Sequence, residues 1–226
     1  SSTSVALNQV LGSEVSVIQG SREANGQIFL VTPQGILFSE TAQVNTGGLI
    51  ASTQSLSTED FLAGNYTFNG TSDQAITNKG NLITQGPVAL IAAQIINQGT
   101  IESTNTLLGS GNKVVLDLGG PVKIEVLEGA LTSLIDQGRA IRANGGKVYL
   151  TAKAAQDLTS QSTINHTGTI EAKTLSTGEK GEIVLLGDMQ KGTLTVGGTL
   201  DASAPTQGDG GFVETSAATV DMKENL

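Results

Sequence analysis

The sequence predicts an all-β protein and, within that class, a right-handed parallel β-helix with an extra-helical β-hairpin and little helix. Three observations carry this prediction. The chain is rich in turns and poor in rings, with 29 Gly, 4 Pro, 3% aromatic residues and no Trp among 226. Such a core must be filled by Val, Ile, Leu, Ala and Thr, which suit thin layers between packed strands. Short stretches alternate apolar with polar or small residues, the period-2 mark of a strand with one buried face. These stretches recur in a fixed relation to glycine, at intervals of about 20 residues, which favours stacked coils over a β-sandwich.

Taken in order, "SSTSVALNQV" at the start has neither a basic nor a long apolar region, so it does not read as a signal peptide. Residues 24–53, "ANGQIFLVTPQGILFSETAQVNTGGLIAST", divide into three apolar pieces cut by Gly, Pro and Asn turns. Residues 58–75, "TEDFLAGNYTFNGTSDQA", break the pattern. They hold Phe61, Tyr66 and Phe68, and Asn69-Gly70 is a turn signal, so this segment is expected to be a hairpin leaving the coil and packing on its side.

The repeat follows. Gly, any residue, an aliphatic, any residue, then Ala, Ser or Thr appears at Gly48, Gly80, Gly99, Gly168 and Gly198. Asn78 and Asn97 stand two residues before the glycines of "ITNKGNLIT" and "INQGTIES", and Asn165 in "INHTGTIEA" repeats the theme. Asn in such turns can stack as a ladder from coil to coil. A second strand pattern comes as "NKVVLDL" at 112, "GKVYLTA" at 146, "GEIVLLG" at 181 and "GFVETSA" at 211. In "GTIEAKT", Ile170 and Ala172 should face inward, and Glu171 and Lys173 outward. Roughly ten coils stacked at about 4.8 Å would give a rod on the order of 50 Å long. Residues 151–161, "TAKAAQDLTSQ", are the best helix candidate, and 125–138, with Leu127, Leu131, Leu134 and Ile135, fit either a turn or a short helix.

Charge and composition remove several function classes. A net charge of −9 with 12 Lys and Arg argues against a basic nucleic-acid face. No apolar run reaches the roughly 18 residues of a spanning helix. Without Cys there is no thiol chemistry or disulfide, which is compatible with bacterial export.

Catalysis is the main rival, because a β-helical polysaccharide-cleaving or glycan-binding module would need clustered carboxylates and a base. The acidic residues are spread along the chain. Glu171 and Asp201 occupy equivalent repeat positions and could stack, but outward-facing charge accounts for them. His166, the only His, reads as a solvated turn residue and cannot build a multi-His metal site. A single "GDGG" at 208–211 is a weak calcium signal. The sequons at Asn65, Asn69 and Asn165 are expected by chance in a Thr- and Asn-rich chain. No catalytic residue, metal site or cofactor is expected.

One resemblance covers nearly the whole chain. "SVALNQVLGSEVSVIQGSREANGQIFLVTPQGILFSETAQVNTGGLIAST", "DFLAGNYTFNG", "GPVALIAAQIINQGTI", "NKVVLDL", "GGKVYLTAKAA" and "GGFVETS" occur in the order seen in one family. That family is the secretion domain of two-partner-secretion exoproteins, the filamentous-haemagglutinin-like adhesins, in particular their high-molecular-weight-adhesin branch. The resemblance implies residues 1–226 as a single β-helical secretion domain of a larger exoprotein, here without the family's upstream cap. It implies recognition by the periplasmic POTRA domains of an outer-membrane barrel transporter and a final location secreted or on the surface of a Gram-negative bacterium. Host-cell contact would come through the rest of the exoprotein. The family's Asn-Pro-Asn-Gly-Ile motif falls on Thr32, Pro33, Gln34, Gly35 and Ile36, with both Asn positions replaced. Together with Asn25 and Gly26, these are the candidate transporter-recognition residues.

Overall fold

The computed structural model describes residues 4–175 and 180–224. The chain winds as successive coils, each laying one strand on each of three faces. It begins with β1 (Val5–Gln9), β2 (Ser16–Ile18) and the long β3 (Ser21–Val31), followed by β4 (Ile36–Phe38) and the long β5 (Gln43–Ser52). An excursion then carries helix α1 (Thr58–Ala63) and β6 (Tyr66–Asn69). Regular coils resume with β7 (Ala75–Asn78), β8 (Asn81–Thr84), β9 (Val88–Ala92), β10 (Gln94–Asn97), β11 (Thr100–Glu102) and β12 (Asn105–Ser110). A second excursion carries β13 (Lys113–Asp117) and β14 (Lys123–Glu128). Next come β15 (Thr132–Gln137), β16 (Ala140–Arg142), β17 (Lys147–Ala152), β18 (Gln161–His166), β19 (Thr169–Glu171) and β20 (Glu182–Leu186). The last described strands are β21 (Gly192–Val196), β22 (Thr199–Asp201), β23 (Phe212–Ser216) and β24 (Thr219–Met222).

All strand pairs between coils are parallel. The first face is an eight-stranded sheet in the order β2-β4-β7-β10-β15-β18-β21-β24. The second and third faces join in one thirteen-stranded sheet because β3 and β5 each run along both. Strand β5 pairs with β8 through Gln43–Thr46 and with β9 through Leu49–Ser52, so the chain turns a corner without leaving its strand. Eight strands on the first face, rather than ten, span about 34 Å at roughly 4.8 Å per step. The parallel β-helix predicted from the repeat is the observed architecture.

Register explains why the sequence repeats. Ile36, Ile76, Ile95, Ile135, Ile164 and Leu194 align from coil to coil on the first face and form an inward aliphatic row. Val44, Leu82, Ile101, Ile141 and Ile170 form the matching row on the second face. Both rows are buried, and each fully buried Ile or Leu contributes about 1.5–3 kcal/mol. Ile170 and Ala172 face inward as expected, with Glu171 and Lys173 outside. The glycine of the repeat stands at the corner between these faces. A Cβ at Gly99 would sit 2.1 Å from the Gly80 carbonyl oxygen, and one at Gly168 would sit 2.0 Å from that of Arg139, so no side chain fits where backbone stacks on backbone. Gly48 shares the sequence pattern but lies inside β5, where the third-face stretch begins.

Four local expectations are corrected. Residues 58–75 are not a self-paired hairpin. They form α1 and then the single strand β6, whose partner is β13. Helix α1 is set by a cap: Ser57 Oγ accepts from Asp60 N–H at 3.0 Å and donates to the Asp60 carboxylate at 2.7 Å, and Gly64 closes the C-terminus at φ 73°. "NKVVLDL" is not a coil strand but β13, and the extra-helical hairpin is β13–β14. Residues 151–161 form no helix. Ala152 ends β17, and the Asp157 carboxylate accepts from Thr159 N–H at 2.9 Å, which holds the chain in a turn. Residues 125–138 extend as the end of β14 and all of β15.

The antiparallel sheet β6-β13-β14 lies against the outside of the third face. Between them is a second core, with Phe29, Ile50, Ala89 and Leu107 from the coils facing Leu56, Phe68, Val114 and Val126 from the excursions. Phe29 packs edge-on to Phe61 at 5.2 Å between ring centroids and against Tyr66 at 4.8 Å.

Candidate functional site

The residues singled out from the sequence fall at the two ends of one third-face segment, Gln27–Val31. Asn25 and Gly26 lie within β3 at the corner where it changes face, marked by a register shift between Ala24 and Gln27. The Asn25 side chain is exposed, and its backbone is what the next coil packs on: a Cβ at Gly47 would lie 2.4 Å from the Asn25 carbonyl oxygen. At the other end, Thr32, Pro33, Gln34 and Gly35 form a β-turn in which Gly35 N–H donates to the Thr32 carbonyl at 3.1 Å. Gly35 has φ 102°, a conformation that favours glycine.

Segments on either side hold this turn. Ser16 N–H donates to the Gly35 carbonyl at 3.0 Å, Thr32 N–H to the Ser52 carbonyl at 2.9 Å, and Ser72 Oγ to the Pro33 carbonyl at 2.6 Å. Thr32 and Ile36 are buried and Gln34 is exposed. The two groups are therefore not gathered at one point, since the strand between them covers roughly 13 Å. Ile28 and Leu30 pack against the inner core, while Phe29 belongs to the outer one.

A buried polar ladder runs up the first face beside the aliphatic row. Asn78 Nδ2 donates to Asn97 Oδ1 at 2.8 Å, Asn97 Nδ2 donates to Gln137 Oε1 at 2.8 Å, and Gln137 Nε2 donates to the Arg139 carbonyl at 3.0 Å. Asn78 Oδ1 also accepts from Gly80 N–H at 3.1 Å, fixing the corner glycine. Three of these side chains, Asn78, Asn97 and Gln137, are fully buried.

The next rung is His166, which aligns with Gln137 and is itself fully buried, not solvated. Its Nε2 lies 3.1 Å from the Thr199 carbonyl, while Nδ1 has no partner among the described residues, and burial pushes its pKa down. Asn165 is outside the ladder, donating from Nδ2 to the Asp136 carboxylate at 2.9 Å. The alternation of "INHTG" could have revealed this, because the residue two after Ile164 shares its inward direction.

The outer side of the second face carries a charge ladder. Arg142 pairs with Glu102 at 2.9 Å and Glu171 at 3.7 Å, and Lys173 pairs with Glu171 at 3.7 Å and Asp201 at 3.2 Å. Glu171 and Asp201 do stack in register, and their carboxylates are occupied by these cations. On the third face Lys147, Tyr149 and Glu182 form a closed triad, with Lys147 2.8 Å from Glu182 and Tyr149 donating to the same carboxylate. Burial raises the Tyr149 pKa, and its bond to Glu182 raises it further. Among the described residues, no group of three or more His, Cys, Asp or Glu gathers to hold a metal ion. Tyr66 and Phe68 pack into the outer core, so neither ring is presented for stacking on a sugar.

What these residues build is a stacked scaffold whose polar groups are spent on one another, which places the chain among β-helical repeat proteins. The comparisons agree. The sequence model of the TPS (two-partner secretion) secretion domain matches residues 1–209, and the chain belongs to that family, a domain of secreted exoproteins. The solved HMW1 secretion domain from Haemophilus influenzae has a similar fold, with a TM-score of 0.67 at 22% identity over 98% of this chain and 83% of that one. A heme/hemopexin-binding protein from Haemophilus influenzae strain Rd is 30% identical over 166 residues, 66% of this chain. A second Haemophilus influenzae protein of the same name is 35% identical over 77 residues, 34% of this chain. The matches span 18% and 8% of these relatives' lengths.

Proposed function

We propose that this chain is the part of a larger exoprotein that an outer-membrane barrel transporter recognises through its periplasmic POTRA domains, and that it folds coil by coil after crossing. One observation carries the reading beyond family membership: apart from the excursions, each coil pairs only with its immediate neighbours in sequence. A chain with such pairing can fold from one end as it emerges, without waiting for distant segments. Each added coil buries its aliphatic row, which opposes return of the chain through the barrel.

Recognition precedes folding in this reading. Thr32, Gly35 and Ile36 are buried in the folded state, so their side chains and turn are accessible to a partner only while the chain is extended. Asn25, Gly26, Pro33 and Gln34 complete the proposed segment, which would add to a POTRA sheet edge or lie in its groove. The route through the periplasm leads to a secreted or cell-surface location. Activity toward a host, adhesive or of the haem/haemopexin-binding kind named for two relatives, belongs to the rest of the exoprotein.

The test is binding of the urea-unfolded chain, diluted into buffer, to the isolated POTRA domains of the transporter encoded beside it. Binding should be faster than folding, and weakened at least tenfold by replacing residues 32–36 with Gly-Ser repeats. Equal binding by the folded chain, or none by the unfolded one, would reject early recognition. For the folding step, Ile170→Asp should slow secretion; unchanged export would count against it.

A further inference from the structure

The first excursion is held by a segment that arrives two coils after it. Among the described residues, β6 has one sheet partner, β13, with Tyr66 opposite Leu116 and Asn69 opposite Lys113. The coils offer it no backbone edge, because β5, β9 and β12 beneath it are each paired on both sides with other coil strands. Near its root there is only the local Ser55–Asn69 bridge. Helix α1 has six residues, none of them fully buried, so it cannot hold the excursion in place by itself.

The roots of the two excursions meet at Gln54, which is fully buried. Its Nε2 donates to the Ser72 carbonyl at 3.0 Å, where the first excursion returns. The same atom donates at 3.3 Å to the Gly111 carbonyl, where the second departs, 57 residues after Gln54. Beside it, Gly70 N–H donates to the Asn112 carbonyl at 3.0 Å. This crossing is tight, since a Cβ at Gly70 would stand 2.6 Å from Gln54 Oε1.

We propose that the excursions form a latch that closes out of sequence. Strand β6 stays undocked while the two coils after it, β7 to β12, form; it docks only when β13 arrives, with Gln54 joining the two roots. The coils do not need the latch, because β7, β8, β10 and β11 pair with coil strands alone and fill the inner core. Pairing β6 with β13 closes a longer loop than laying down the adjacent coil, so its entropic cost favours the coils first. Until the latch closes, Phe29, Ile50, Ala89 and Leu107 stand in register as an uncovered apolar row on the third face. During export, delivery of residues 111–117, and not of the first excursion itself, would end the exposure of that row. This consequence rests on the folding outside the barrel proposed above, whereas the latch does not.

The experiment uses the full chain without a transporter, so its result does not depend on recognition by POTRA domains. The chain is diluted from urea, and pulse-labelled amide exchange is read by mass spectrometry at successive times. Residues 66–69 should gain protection in the same phase as 113–117 and at least threefold more slowly than 75–78 and 94–97, although 66–69 come first in the chain. Gln54→Met keeps the length of the side chain and removes both donations. It should set 66–69 at least threefold behind 113–117 while the rate at 94–97 stays unchanged. Protection of 66–69 together with or before 75–78, or a single phase for all strands, would overturn the latch. Equal slowing of every strand by Gln54→Met, or no change, would overturn the role given to Gln54, and the wild-type order decides the latch even where that variant does not fold.

Discussion

Replacing Asn97 by Ala tests whether the internal ladder holds successive coils together. Asn97 is fully buried, and its amide makes both ladder contacts at 2.8 Å, accepting from Asn78 and donating to Gln137. Truncation leaves a buried donor on Asn78 and a buried acceptor on Gln137, each costing about 1–3 kcal/mol when unmet. Losing the buried Asn97 amide itself offsets part of this, so the expected net loss is about 2–4 kcal/mol. For a domain of this length that lowers the Tm by about 5–15 °C. The assay is thermal unfolding by circular dichroism at pH 7.5, with Asn165→Ala alongside. Asn165 has a similar sequence context but bonds outside the ladder, and its loss should cost about 1 kcal/mol or less. Equal losses for the two variants, or an Asn97→Ala protein within 0.5 °C of wild type, would refute the ladder argument.

Three further outcomes are expected. Burial holds the His166 pKa below its ordinary value, so below pH 6.5 the unfolded chain takes up a proton that the folded chain resists. Stability should therefore be complete above pH 6.5 and fall by up to about 1.4 kcal/mol per pH unit below it, and His166→Asn should remove that part of the slope in urea unfolding across pH 7.5 to 5. Val114→Asp places a charge in the outer core; amide exchange should then show β6 and β13 losing protection together while Ile95 and Ile135 keep theirs, and a β6 that stays protected would contradict its dependence on β13. Arg142→Ala should cost about 1 kcal/mol or less by urea unfolding, because its ion pairs are half exposed.

The β-helix was legible in the amino-acid order alone. A corner glycine, an inward aliphatic two residues later and an outward polar residue between them are local requirements of each coil, so they recur wherever a coil recurs, as at Gly80, Gly99, Gly168 and Gly198. Features that depend on partners far along the chain were not legible there and follow from long-range packing. The segment "NKVVLDL" alternates like a coil strand, and nothing local separates one buried face against the rod from one inside it. Only pairing with β6 and β14 places it outside. The same holds for "VALIA", buried on both sides because the coils fill one face and the excursions cover the other. His166 sits in a turn-like string, yet its fate was set by Gln137 beneath it and the coil above. Periodicity reports which residues share a direction, while burial depends on what another segment brings to that side.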